Sequence, residues 1–252
     1  MSAPRTAANE VQRPKKTATL IAQRLISEIS DQNLEPGSPL PSERSMLEQF
    51  GVARGSLREA LRFLEIQGVI SIRTGPGGGP VVSRPESRHL ANILAMQLQL
   101  EHTTFREVLE ARAVLEPILA QRAAQRATEN GLADLQESIS RMRASLDNVG
   151  VFVAENSAFH GHIAQAADNQ AFALFNASIL WISDRTRLAV DFPDGYRERV
   201  CTEHERILAA IADHDGDRAS AAMSLHVADF ISFLEDSYPA VVEAQVRWDL
   251  IG

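Results

Sequence analysis

The chain has a single cysteine, Cys201, among its 252 residues. One thiol cannot close a disulfide within the chain, and the usage fits a reducing cytoplasm. Cys201 therefore reads as a small helix residue. No apolar run reaches the ~18 residues that a membrane span requires. The N-terminus has no apolar core of the secretory type, so neither a membrane partner nor export is expected. There is no solenoid-type internal repeat. The one glycine-rich run, residues 75–79, is followed by neither a Lys-Ser/Thr pair nor a helix, which excludes a phosphate-cradling nucleotide loop. A net charge of −8 is at first sight a poor match to nucleic acid.

What is present is unevenly distributed. Residues 1–83 carry ten Lys/Arg against eight Asp/Glu, whereas residues 84–252 carry fifteen against twenty-five and all seven histidines. The asymmetry suggests two domains with separate jobs, one of them locally basic. Residues 1–16 lack an apolar period and read as a mobile tail. Residues 17–83 form the first domain and 84–87, polar and containing Pro85, the linker. Residues 88–237 form the second domain and 238–252 a C-terminal tail.

The first domain is organised around Leu40 to Val82. Thr17 to Gln32 reads as a helix with Leu20, Ile21, Leu25 and Ile29 inward. Ser42 follows Pro41 and precedes Glu43, an N-cap for a short helix burying Met46, Leu47 and Phe50. Gly51 ends that helix and Val52 plugs the corner. A second helix from about Arg54 to Gln67 carries the apolar stripe Leu57, Ala60, Leu61 and Leu64 and stops at Gly68. Arg54, Arg58 and Arg62 recur every four residues on one face. A recognition helix offers its N-terminal residues to base edges, and arginine pairs bidentately with guanine or phosphate. Solvated arginines on an amphipathic helix would read the same way in isolation; the short helix, the corner and the glycine ribbon together favour DNA. Residues 69–73 and 81–82 alternate as a hairpin whose glycine tip can approach a phosphate or a minor groove.

The run Leu40-Pro41-Ser42-Glu43-Arg44, then Val52-x-Arg54-x-x-x-Arg58-Glu59-Ala60-Leu61, then Leu64-Glu65-x-x-Gly68 and a glycine wing, resembles the GntR family of bacterial transcription regulators. The resemblance implies a winged helix-turn-helix in which Arg44, Arg54, Ser56 and Arg58 touch double-stranded DNA and Gly77 and Gly78 lie against the minor groove. Gly55 departs from the threonine usual there, which removes one phosphate contact.

From residue 88 onward every long periodic segment is helical. Seven segments, 87–101, 105–128, 130–148, 150–167, 170–191, 196–213 and 216–237, are separated by short Asp/Asn/Gly breakers. The fold class is mainly α, a winged helix-turn-helix followed by an antiparallel helical bundle. Three histidines fall on apolar stripes: His160 with Ile163, His204 with Ile207 and Leu208, His226 with Met223 and Phe230. Separately satisfied core histidines are the bland alternative. Three neutral imidazoles converging in a bundle, with the amide oxygen of Asn156 one turn before His160, make a donor set for a divalent transition metal of the Zn, Ni or Mn class. Glu203 points away from the face of His204. Arg112 falls on the stripe of Val108 and Leu109, and an inward arginine needs an anion. Glu116, four residues on, is one candidate and a ligand carboxylate the other.

Glu110-x-Arg112, Asn156-x-x-Phe159-His160, Glu203-His204 and His226 together are similar to the FCD ligand-binding domain of the FadR subfamily of GntR regulators. That resemblance implies a metal held by Asn156, His160, His204 and His226, and an organic acid bound by the metal and Arg112. Aspartate is commoner at position 156; the neutral amide lowers the expected metal affinity and occupancy. The expected protein is a cytoplasmic homodimeric regulator of repressor type, binding a pseudo-palindromic operator and controlled by a small carboxylate. The alternatives are a helical metal-dependent hydrolase with a DNA-binding head, for which no free general base is evident, and an FCD-type regulator with an empty metal site.

Overall fold

The computed structural model describes residues 17–75, 78–184, 190 and 192–250. The chain divides into two compact units, Met1–Glu86 and Ser87–Gly252.

In the first unit, α1 (Thr17–Asp31), α2 (Glu43–Phe50) and α3 (Arg54–Ile66) precede a hairpin of β1 (Ile70–Arg73) and β2 (Gly79–Val82). The Ser42 side chain accepts from the Ser45 N–H at 3.2 Å, which satisfies one of the unpaired first-turn amides of α2. Gly51 closes α2 at φ 62°, a left-handed conformation that costs glycine little. The α3 stripe Leu57, Ala60, Leu61 and Leu64 is fully buried against Leu25, Met46, Ile70 and Val82. Leu47, Phe50 and Val52 pack on that core from its edge.

Two details depart from the sequence reading. α1 turns Ala18, Ile21, Ala22 and Leu25 inward and leaves Leu20 half exposed; two small alanines let α1 lie close to α3 where a leucine would not fit. β2 begins at Gly79 rather than Val81. It pairs with β1 in the register Ile70↔Val82 to Arg73↔Gly79. Its other edge is held by the loop before α2, through Leu40 N–H to Pro80 O at 2.9 Å and Val82 N–H to Ser38 O at 2.9 Å. The wing is thus anchored to the helix-turn-helix on both sides.

The second unit contains α4 (Ser87–Leu100), α5 (Phe105–Arg126), α6 (Glu129–Ala144), α7 (Val149–Ala166), α8 (Gln170–Asp184), α9 (Asp194–Ala212), α10 (Gly216–Ser237) and the short α11 (Pro239–Val242). Two of the polar breakers hold caps, Asn148 and Asp215, and Thr128, at the end of the segment read as 105–128, is a third; each accepts a first-turn N–H at 3.0–3.2 Å. α5 is central, packing on α7, α8, α9 and α10. Its run Ala120, Ala123, Ala124 is fully buried, and the small side chains admit close neighbours. Leu135, Phe159, Ile163, Ile207, Ile211 and Met223 complete this core. No helix among the described residues is long and apolar enough to cross a membrane.

The segment 238–252, read from the sequence as a tail, is packed at least to Val246. Val242 and Val246 are fully buried. Phe105 N–H donates to Ala244 O at 3.0 Å and Val246 N–H to Thr103 O at 2.9 Å, so the segment closes over the start of α5. A stretch this short carries no periodic signal, which is why it was illegible as structure.

Candidate functional site

The residues that the sequence assigns to DNA are presented by α2, α3 and the wing. Arg44, on α2, is 91% exposed at its side chain and pairs only loosely, with Glu48 at 3.2 Å. Arg54 opens α3 and Arg58 follows one turn later; both are exposed, and Ser56 is half-buried between them. Ala53 caps α3 without a side-chain hydrogen bond, leaving the helix start open to an anion. Arg58 Nε donates to Glu43 Oε2 at 3.2 Å across the two helices. That exposed pair contributes little to stability and is readily exchanged for a base or phosphate. Gly55 is exposed, with nothing within 4 Å of an added Cβ. Gly78 has no such room: a Cβ there would meet Arg73 O at 2.3 Å. Gly77 lies outside the described residues.

Arg58→Ala is therefore expected to weaken operator binding and relax preference at one base step by about 1–3 kcal/mol. Arg62→Ala, further along α3, should do less. Fluorescence anisotropy with operators altered one base pair at a time reads both effects. Parent-like binding by Arg54→Ala and Arg58→Ala would show that α3 is not the reading helix.

The second site is inside the bundle. α5 supplies Arg112 and Glu116, α7 Asn156 and His160, α8 Ser183, α9 Glu203 and His204, and α10 His226. His160, His204 and His226 are all buried, and their ring nitrogens gather within 4.8 Å. His226 Nε2 lies 3.3 Å from His204 Nε2 and 3.3 Å from His160 Nε2. Nitrogens about 2.0–2.1 Å from a tetrahedral metal stand roughly 3.4 Å from one another, so the spacing fits a transition-metal ion.

The outer nitrogens set the tautomers. Glu203 Oε2 sits 2.8 Å from His226 Nδ1. Glu116 Oε2 and His160 Nδ1 face each other, with no other partner for either atom. A carboxylate at Nδ1 holds the proton there and turns the bare Nε2 lone pair inward, as metal-binding histidines require. Among the described residues His204 Nδ1 has no hydrogen-bond partner; its ring is fixed instead by stacking on Phe159, centroids 3.9 Å apart and planes 12° from parallel. Burial holds the His204 imidazole well below its usual pKa, with His226 and His160 adding to the effect. Burial also lowers His226, against the upward pull of Glu203. Neutral rings with converging lone pairs repel one another unless a cation or proton lies between them.

Arg112 and Glu116 form a buried ion pair, Nε to Oε1 at 2.6 Å, at 3% and 2% exposure. Burial alone would raise the Glu116 carboxyl, but Arg112 and then His160 outweigh it and hold the group below the usual carboxylate range. Arg112 Nη1 also donates to Ser183 Oγ at 3.2 Å, and its guanidinium lies 5.2 Å over the Phe230 ring. The pairing with Glu116 does not remove Arg112 from the interior space: Arg112, Asn156, His160 and His226 all line one cavity of about 220 Å³. His204 lies outside its lining. Of the remaining histidines, His214 is tied to Ala124 O at 2.8 Å beyond the end of α9.

Sequence reasoning missed Glu203, which it turned away from the site, and the second contact of Glu116. Both bonds cross between helices, α9 to α10 and α5 to α7, so a single helix's periodicity carries no trace of them. Glu203 directly precedes His204, and that adjacency was the one available signal.

Two family descriptions match the chain: "Bacterial regulatory proteins, gntR family" over residues 17–78 and "FCD domain" over residues 107–229. LutR, an HTH-type transcriptional regulator of Bacillus subtilis, is 30% identical over 87% of this chain and 100% of its own length. The Uxu operon regulator of Haemophilus influenzae is 29% identical, covering 84% of this chain and 79% of that one. The HTH-type transcriptional repressor NanR of Edwardsiella tarda is 29% identical, covering 84% and 83%. Among solved structures, a GntR protein of Streptococcus agalactiae superposes with a TM-score of 0.64 at 24% identity, over 84% of this chain and 98% of that one, a likeness of fold.

Proposed function

Because the chain belongs to the GntR family as a DNA-binding transcription regulator with an FCD domain, we propose that it is a dimeric repressor released from its operator by a small carboxylic acid bound beside a metal. The observation that carries this reading is the convergence of three buried imidazoles within 4.8 Å, with His226 Nε2 at 3.3 Å from both of the others, beside a cavity that His160, His226 and Arg112 line. The repressor sense is supported by the NanR relative, which is a transcriptional repressor by name. Hydrolase chemistry has no support: the relatives are regulators, and the two carboxylates at the trio, Glu116 and Glu203, are each bonded to a ring Nδ1.

In this reading His160, His204 and His226 hold the ion, with the Asn156 amide oxygen as a further donor from the same face of α7. The ion supplies a positive centre for the acid's carboxylate. Arg112 adds a second cation across the cavity, kept in place by Glu116 and Ser183. Glu116 orients Arg112 and His160 at once, so the two acid-binding groups share one anchor. Acid binding favours an arrangement of the two DNA-binding units that no longer fits a pseudo-palindromic operator. The effect requires that the acid bind the two arrangements unequally. Metal analysis of purified protein, followed by calorimetry with carboxylic acids before and after chelation, tests this. Protein that retains no divalent ion after careful loading, yet binds acid, contradicts it.

Asn156 gives a sharper expectation. A neutral amide attracts a dication less than a carboxylate does and leaves more of its charge uncompensated. Asn156→Asp is expected to tighten metal binding, by roughly tenfold or more, while weakening the acid because the site is already partly neutralised. Competition against a chromophoric chelator, paired with acid titration of the same samples, separates the two. A change of both affinities in one direction would place Asn156 outside the coordination.

A further inference from the structure

The reading of the cavity as an acid site leaves open what kind of acid. The polar groups that line it form one connected patch. Arg112 bonds Ser183 at 3.2 Å and, through Glu116, reaches His160, whose Nε2 is 3.3 Å from that of His226. Asn156 is one turn from His160 on α7. These are five of the cavity's sixteen described lining residues; the other eleven are aliphatic or aromatic, and Tyr196 alone among them carries a hydroxyl. They include Phe152 and Val153 of α7, Phe230 and Leu234 of α10, and Val241 of α11. Part of the apolar wall is a rigid aromatic stack: Tyr196 lies 4.1 Å from Phe233 and 5.6 Å from Phe192, centroid to centroid.

The patch also has few donors to offer beyond one carboxylate. Arg112 Nε and Nη1 are engaged, and Ser183 Oγ donates to Ile179 O at 3.1 Å while it accepts from Arg112. Among the described residues, hydroxyls on the body of a ligand would face aliphatic and aromatic carbon everywhere but at Tyr196, and a buried polar group without a partner is strongly disfavoured. Pockets for drug-sized ligands hold roughly 300–1,000 Å³. At about 220 Å³ this one suits a smaller molecule.

We propose that the effector is a small monocarboxylic acid with an apolar, aliphatic or aromatic body, and that the cavity discriminates against hydroxylated acids of the same length. The proposal rests on the cavity being the acid site. Its test uses full-length, metal-loaded protein and calorimetry with acetate, butyrate, hexanoate and phenylacetate, set against lactate and gluconate. Affinity should rise about fourfold per methylene from acetate toward hexanoate, the equivalent of about 0.8 kcal/mol for each CH₂ buried. Hexanoate should exceed gluconate, its polyhydroxylated six-carbon counterpart, by roughly a hundredfold or more. Val241→Thr keeps the shape and adds a hydroxyl to the apolar wall; it should shrink the hexanoate-to-acetate ratio several-fold. Flat affinity along the chain series, or gluconate binding as well as hexanoate, overturns the proposal and leaves the acid site standing. Silence from every acid removes the acid site and the proposal with it.

Discussion

Replacing Arg112 by methionine is expected to destabilise the C-terminal unit by about 3–5 kcal/mol, the usual consequence of breaking a buried ion pair from one side. Glu116 is 2% exposed and its Oε1 would lose a 2.6 Å partner. Its remaining neighbour is His160 Nδ1; a Glu116 side chain released from Arg112 no longer holds that ring in place, so metal affinity should fall along with stability. Removing both charges, in Arg112→Met with Glu116→Leu, should restore most of the stability, because no uncompensated charge stays buried; the lost contact at His160 Nδ1 is the smaller remaining cost. The double variant should still bind metal about 10–100-fold less tightly, since His160 has lost the group that orients it. Urea unfolding followed by circular dichroism reads the first effect, and chelator competition reads the second. A single variant as stable as the parent would mean that Glu116 is neutral in the folded protein.

His204→Ala is expected to abolish metal binding and the response to acid while leaving operator affinity without acid unchanged within about twofold. His204 is fully buried, bonded to no carboxylate, and held by the Phe159 stack and by its 3.3 Å approach to His226. Truncation opens a cavity and costs roughly 2–4 kcal/mol by analogy with other large-to-small core changes. His204→Leu fills more of that space and separates loss of the ligand from loss of packing. Both variants are checked by metal analysis, thermal unfolding and operator binding. A normal acid response in His204→Leu would reduce the three histidines to core residues.

The helix pattern was legible because local chemistry and packing agree. Asn148 and Asp215 lie in stretches read from the sequence as breakers, and each accepts a first-turn N–H as a cap; the observed helices start and stop within a few residues of the segments those breakers mark. The convergence of His160, His204 and His226 was foreshadowed by their place on apolar stripes, since an imidazole turned inward on three helices of one bundle has little else to meet. Their orientation was not legible. Glu203 reaches His226 from α9 to α10, and Glu116 reaches His160 from α5 to α7, relations fixed by helix crossings that no single periodicity records. Leu20 shows the opposite failure: it fits an amphipathic pattern, yet the close approach of α1 to α3 selects Ala18 and Ala22 instead. The terminal segment with Val242 and Val246 was lost for want of length, since four helical residues and one bridge between Thr104 and Gln245 make no period.

The most direct measurement is operator affinity with and without acid, on metal-loaded protein and on the same protein after chelation. The metal-loaded sample should lose at least about tenfold in operator affinity when a binding acid is added, a coupling of about 1.4 kcal/mol. The chelated sample and His204→Leu should show the same operator affinity with acid as without. Acid-driven release of equal size in loaded and chelated protein, or no release in either, would contradict the account.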